Sequence, residues 1–280
     1  MKRIGCILLI STIILTGCKT GNKNKNDKAA IELWNSKADY FGSYELENVQ
    51  NERFIQIIKE NNLINKDSFI LDVGCGAGKY CAALADDCFK CIGTDLSPRM
   101  IEFAKEKAKQ YDKKNVEFRC DDWSKLDIEK EGLIKKFDLV MACMTPAISN
   151  YETFKKFMDC SKSAGIYCCG TRRTDSVSDE IDKLLGIKNK QSNSEDTVKY
   201  VFNILWENGY YPKIEYIEQS WDSEMSIEKS CEVYINRCKA KYDIDENQEQ
   251  IIKKYIEEIS INGLIYEKIN TIKAVVYWKN

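Results

Sequence analysis

Three glycines and a set of acids stand where this chain could meet a charged ligand. Gly74, Gly76 and Gly78 follow an apolar run ending in Asp72, within Phe69-Ile-Leu-Asp-Val-Gly-Cys-Gly-Ala-Gly-Lys-Tyr80. Glycine tolerates positive φ and lets a ligand approach the backbone. A helix starting near Lys79 would set unpaired N–H groups behind that loop. A second apolar run, Lys90 to Thr94, also ends in an acid, Asp95. It lies about 20 residues past the glycines, where a carboxylate can accept hydrogen bonds from both hydroxyls of a ribose. A third acidic site, Asp121-Asp122 followed by Trp123, closes the run from Asn115. The chain has no histidine, which removes the commonest general base.

The loop admits two readings. The dinucleotide fingerprint G-x-G-x-x-G needs a third glycine at position 79, which is Lys79; the spacing here is G-x-G-x-G, with an acid two residues ahead of the first glycine. The second pattern, a hydrophobic strand and then Asp72-Val73-Gly74-Cys75-Gly76-Ala77-Gly78, resembles the first motif of the class I S-adenosylmethionine-dependent methyltransferases. That resemblance covers about residues 29–280. It implies a loop of Gly74, Cys75, Gly76 and Gly78 under the methionine moiety and ribose of the donor, with Asp72 near the amino group. It implies ribose hydroxyls on Asp95, adenine covered by Leu96, and the adenine amino group on Asp122, with Trp123 where the family has a small residue. Asp121 competes with Asp122 for that contact. The fourth strand, Phe137 to Ile148, should point its end, with Cys143 and Thr145, at the transferring methyl.

The elements that would hold these residues follow from patterning. Buried strand-like runs alternate with helical stretches, closing on a β-rich C-terminus. With the resemblance this implies an α/β, Rossmann-like fold: a seven-stranded, mostly parallel sheet, the last strand antiparallel, with helices on both faces. Glu52 to Asn62 reads as a helix, Gly165 to Gly170 as the fifth strand, Lys213 to Trp221 as the sixth and Thr271 to Trp278 as the last. Two charged amphipathic helices over about 226–266 form an insertion where such enzymes often build an acceptor cap. Ahead of the glycines, Ala29 to Tyr44 is an amphipathic stretch with Trp34 and Tyr40; it either folds over the donor as a lid or packs on the sheet edge. Arg172, Trp221 and Tyr234 are further candidates for acceptor contact, against ordinary surface or core roles.

The fourth strand ends in Met144-Thr145-Pro146 and lacks the N/D-P-P-Y/F motif of nucleic-acid and glutamine amino-methyltransferases. It carries no acid cluster, and Cys88 and Cys91 have no second cysteine pair to complete a four-ligand site. A metal-independent transfer to a small-molecule acceptor is therefore expected. A formal charge of −2 over 280 residues leaves no global basic field, so nucleic acid is not an expected partner. A nicotinamide dehydrogenase is disfavoured by Lys79 and by the lack of a proton-relay histidine.

The front of the chain argues in another direction. Met1-Lys2-Arg3 and the apolar stretch Ile4 to Leu15 make a signal-like leader. Its apolar core falls short of the ~20 residues that span a bilayer. It ends in Leu15-Thr16-Gly17-Cys18, which resembles a bacterial lipobox with Cys18 as the lipidated residue. Three units follow: a leader at 1–18, a polar tether at 19–28 and the α/β domain at 29–280. A lipid anchor in the bacterial cell membrane is expected, and a cytoplasmic protein is the alternative. The remaining cysteines sit in apolar runs without framework spacing, a usage typical of a reduced compartment. A lipoprotein keeping the fold as a non-catalytic binding module is the competing function.

Overall fold

A computed structural model describes residues 23–187, 194–242 and 244–279; the leader and the lipobox with Cys18 lie outside these residues. Helices α1 (Lys23–Gly42), α2 (Leu46–Gln50) and α3 (Arg53–Glu60) lead into β1 (Phe69–Val73), α4 (Lys79–Leu84), β2 (Lys90–Asp95), α5 (Pro98–Gln110) and β3 (Val116–Cys120). Then come β4 (Phe137–Cys143), α6 (Tyr151–Cys160), β5 (Ser161–Asp175), α7 (Ser178–Leu184) and α8 (Ser194–Glu207). The chain closes with β6 (Lys213–Ser226), α9 (Ile227–Lys241), α10 (Glu246–Glu258) and β7 (Leu264–Lys279).

The seven strands lie in the order β3-β2-β1-β4-β5-β7-β6. β1 to β5 pair in parallel, and β7 runs antiparallel to both β5 and β6. The central strands are near-continuous apolar runs because both faces are covered. One face packs against α3, α4 and α5 through Phe54, Ile57, Leu84, Ile101 and Ala104. The other packs against α6 and α8 through Phe154, Phe157, Val201 and Leu205. The order reverses between β1 and β4, and open α/β sheets bind ligands in the crevice at such a switch point, outside the carboxyl ends of the strands.

Several boundaries differ from the sequence reading: β4 stops at Cys143, and β5 runs from Ser161 to Asp175, taking in Arg172. α1 begins at Lys23, inside the stretch read as a polar tether. β6 continues to Ser226 and β7 starts at Leu264, so the outer parts of β5, β6 and β7 pair beyond the parallel sheet, down to Asp175↔Ile269 and Ser226↔Leu264. α9 and α10 join β6 to β7 and, with α7, pack on this extension around Ile181, Tyr234, Ile235, Ile252, Ile256 and Ile265.

That small core encloses an ionic cluster. Asp175 accepts from Arg237 at 2.9 Å and caps α7 by accepting from the Ser178 N–H at 3.0 Å, while Tyr234 donates to Glu267 at 2.5 Å. Burial, then the adjacent Asp175, pushes the Glu267 carboxyl up to about 7. Burial acts against ionisation of Asp175 too, but the hydrogen bond with Glu267, the Ser178 N–H and the charges of Arg237 and Arg173 hold it below its ordinary value. Arg237, 2.9 Å from Asp175 and 3.9 Å from Glu267, ties α9 to the strands.

Candidate functional site

A cavity of about 690 Å³ opens at the carboxyl ends of β1, β2 and β4, within the ~300–1,000 Å³ range of small-molecule clefts. Its floor is the glycine loop. Gly74, Gly76 and Gly78 have φ of 71°, 53° and 76°, a region closed to most side chains. Gly74 is also constrained by contact, since a Cβ there would lie 1.9 Å from the Thr145 Oγ1. The N–H groups of Gly74 and Cys75 both donate to the Thr94 carbonyl, at 2.8 and 2.9 Å, so the loop is stitched to β2.

Asp95 is the joint between that loop and β2. Its Oδ2 accepts from the Gly76 N–H and its Oδ1 from the Ser97 N–H, both at 2.9 Å. Burial raises its pKa, and these backbone bonds oppose the rise. Ser97 then caps α5, accepting from the Met100 N–H at 3.1 Å, with Pro98 in the first turn. Leu96, Met100 and Ala77 add an apolar wall beside the carboxylate.

Asp72, the penultimate residue of β1, lies below the loop and is 1% exposed. Burial raises its carboxyl to about 7; the Cys81 thiol, donating at 3.6 Å, and the Lys79 charge work against that, and the Asp95 charge adds to it. An acid so placed is costly to ionise unless a cation comes to it. Asp121 and Asp122 line the cavity beyond β3. Asp121 pairs with Arg119 at 2.9 Å. Asp122 accepts from the Ser124 hydroxyl at 2.6 Å and pairs with Lys125 at 2.8 Å. Burial acts against its charge, but those hydrogen bonds outweigh it and hold the carboxyl below its ordinary value.

The roof comes from α1 and the turn after it. Ala30, Trp34, Phe41, Ser43 and Tyr44 line the cavity. Ala38 of α1 packs in a cluster with Ala77 and Met100, and Asn35 accepts from the Ser97 hydroxyl at 2.6 Å. α1 both lines the cavity, through Ala30, Trp34 and Phe41, and packs on α5, through Ala38 and Met100. The Tyr40 side chain lies outside the described residues.

At the far end stand Cys143, Met144, Thr145 and Pro146. Tyr80 donates to Glu52 at 2.8 Å and accepts from the Cys143 thiol at 3.4 Å, while Lys79 pairs with the other Glu52 oxygen at 2.6 Å. A hydrogen bond with Cys168, helped by Tyr80 and the charges of Lys273 and Lys79, lowers the Cys143 pKa despite its burial.

The cavity thus brings together Asp72, Gly74, Cys75, Gly76, Asp95, Leu96, Asp122, Trp123, Cys143, Trp34 and Thr145. Gly78 turns the loop into α4 without lining the space; a Cβ there would meet Phe118 at 2.6 Å. Trp123 is 3% exposed and its indole N–H donates to the Thr153 carbonyl at 3.1 Å, so it backs the wall more than it covers a ring. Three candidates lie elsewhere. Tyr234 is held in the extension by Glu267, Trp221 stands 5.6 Å from the Arg173 guanidinium, and Arg172 pairs with Ile272 within the sheet. No described residue between 226 and 266 lines the cavity, because α9 and α10 pack on the strand extension instead of over the site. Sequence reasoning missed Met100, Tyr44 and Lys273. Lys273 had a visible signal, a single cation inside the apolar run Ile272 to Trp278.

Residues 70–165 match a family described as "Methyltransferase domain". A protein of Methanosphaera stadtmanae named "Probable ribosomal RNA small subunit methyltransferase A" is 29% identical over 130 residues, 46% of this chain. The match spans 45% of that relative, less than half its length. The YcgJ protein of Bacillus subtilis superposes with a TM-score of 0.51 at 16% identity, over 81% of this chain and 97% of that one, a likeness of fold. An S-adenosylmethionine-dependent methyltransferase of Aquifex aeolicus matches at a TM-score of 0.46 and 18% identity, over 65% of this chain and 91% of that one.

Proposed function

We propose that this chain is a methyltransferase that takes its methyl group from S-adenosylmethionine and delivers it to a small-molecule acceptor at the β4 end of the cavity. The observation that carries the reading is Asp95, a cavity-lining carboxylate at the tip of β2 that also holds the glycine loop through the Gly76 N–H. Among the described residues four carboxylates, Asp72, Asp95, Asp121 and Asp122, line the cavity. They suit a donor carrying a sulfonium and an ammonium, as a phosphate-rich dinucleotide would not. Asp95 would take the ribose hydroxyls, Leu96, Met100 and Ala77 the adenine faces, Asp121 or Asp122 the adenine amino group, and Asp72 the ammonium.

The bound donor supplies an activated methyl carbon on a good leaving group. What the protein adds is alignment, worth up to ~7–11 kcal/mol in well-oriented systems. An acceptor reaching the space beside Cys143, Met144 and Thr145 would meet the methyl from the side opposite the leaving sulfur. No base is assigned; a nitrogen or sulfur nucleophile can react without one.

Calorimetric titration of S-adenosylmethionine and NAD tests the donor. Micromolar binding of the first alone is the expected result, and absence of that binding in folded protein would sink the reading. The affinity should depend on pH. In the free protein Asp72 has a pKa of about 7, and the donor ammonium would lower it, so binding favours the ionised form. Affinity should hold above neutrality and fall below it, approaching tenfold per pH unit. A flat profile between pH 5.5 and 8 would remove Asp72 from donor recognition.

A small acceptor is favoured over RNA, the kind of substrate named for the Methanosphaera relative, by the net charge of −2. The lipobox supports a further part of the proposal, anchoring through Cys18. Wild-type protein should then sediment with membranes and Cys18→Ser should not; a soluble wild type would place the enzyme beside its donor in the cytoplasm. The same motif motivates the competing reading of an anchored, non-catalytic module, which a failed donor titration would favour.

A further inference from the structure

We propose that Lys273 anchors an anionic group, a carboxylate or a phosphate, on the methyl acceptor. The proposal rests on the donor reading above and adds the acceptor's chemical class. Among the described residues two cations line the cavity, Lys79 and Lys273. Lys79 is neutralised by Glu52 at 2.6 Å. Lys273 has no carboxylate partner among the described residues, though it is half-buried.

Its place in the sheet keeps it from the donor end. Lys273 pairs with Gly170 of β5 and Ile217 of β6. β7 lies three strands from β1, about 14 Å at ~4.8 Å per strand. The four carboxylates stand around β1, β2 and β3, so the cavity is acidic at one end and basic at the other. Gly170 has no side chain beside the lysine, and a Cβ there would already meet Met144 Cε at 3.5 Å. Lys273 lines the cavity together with Cys143, Met144 and Thr145. It therefore sits where the methyl would be received. A half-buried ammonium without a counter-charge beside apolar walls gains most from a ligand that brings one.

The test uses protein loaded with S-adenosylhomocysteine, at constant ionic strength set with chloride. Inorganic phosphate and benzoate are titrated while the unfolding midpoint is followed in wild type, Lys273→Gln and Lys273→Arg. At least one anion should raise the wild-type midpoint with a millimolar dissociation constant. The glutamine variant should lose that shift, the arginine variant should keep most of it, and all three should bind S-adenosylhomocysteine alike. Equal shifts in wild type and Lys273→Gln, or no shift with either anion up to 50 mM, would overturn the proposal. Weakened S-adenosylhomocysteine binding in Lys273→Gln would also overturn it, by assigning the lysine to the donor. A short single-stranded RNA that binds wild type far more tightly than phosphate, and is lost in Lys273→Gln, would replace the small acceptor with a polyanion. Failure of S-adenosylhomocysteine to bind wild type would instead count against the donor reading.

Discussion

Asp95→Ala should remove donor binding at concentrations where wild type saturates, while leaving the chain folded. The carboxylate makes two kinds of contact at once. It would accept both ribose hydroxyls, and hydrogen bonds to a charged group are worth ~1.5–3 kcal/mol each, so the pair accounts for roughly 10²–10⁴ in affinity. It also accepts from the Gly76 and Ser97 N–H groups at 2.9 Å, so alanine frees the glycine loop from the tip of β2. Asp95→Asn separates the two effects. The amide can still accept from one backbone N–H but brings no charge to the diol, and its affinity should fall between wild type and alanine. Calorimetry reads the affinity, and an unfolding midpoint close to wild type shows that the loss is local. Near-normal binding by the alanine variant would mean that the donor is held some other way, and the functional reading would lose its main support.

What could be read from the residues follows how local each signal is. The strand-glycine-helix unit was legible because Asp72, Gly74, Gly76 and Gly78 act through their own backbone geometry, and because Ser97 and Pro98 mark the start of α5 by capping chemistry. The outer part of β7 was hidden by its own alternation. Ile265, Glu267, Ile269 and Thr271 face inward while Tyr266, Lys268 and Asn270 face out, and a glutamate in the inward set breaks the apolar code. Its place there depends on Tyr234 and Arg237, more than 25 residues earlier in the chain. For the same reason Tyr234 and Trp221 were open to a pocket role that the extension removes. Lys273 stands out locally as a lone cation in an apolar run, but that it reaches the cavity follows from an antiparallel strand inserting between β5 and β6, which the local pattern does not carry.

Gly165→Ala should be among the most destabilising single methyl additions in the chain, at about 3 kcal/mol or more. Gly165 of β5 is the direct partner of Trp278 on β7. A Cβ there would stand 2.0 Å from Trp278 Cζ2 and 2.3 Å from Cη2, well inside contact distance. The indole cannot simply swing away, since it is 2% exposed and has Phe154, Phe157 and Tyr210 around it at 6.0–6.2 Å between ring centroids. Gly165 does not need positive φ, so the cost is one of space alone, and shrinking the partner should recover it. Trp278→Leu is itself costly, as large-to-small changes in a core are. Yet the double variant Gly165→Ala/Trp278→Leu should be more stable than the two single losses predict, by a coupling of ~0.5–3 kcal/mol. For a chain of this size the first substitution alone should lower the midpoint by roughly 6–12 °C, taking ~2–4 °C per kcal/mol. Additive losses would show that the indole and the glycine do not compete for the same space. The pair sits on the opposite sheet face from the cluster that includes Cys75 of the glycine loop, so a folded Gly165→Ala protein should still bind the donor with wild-type affinity. That separates it from Gly74, where the same added methyl would collide with Thr145 at the cavity itself.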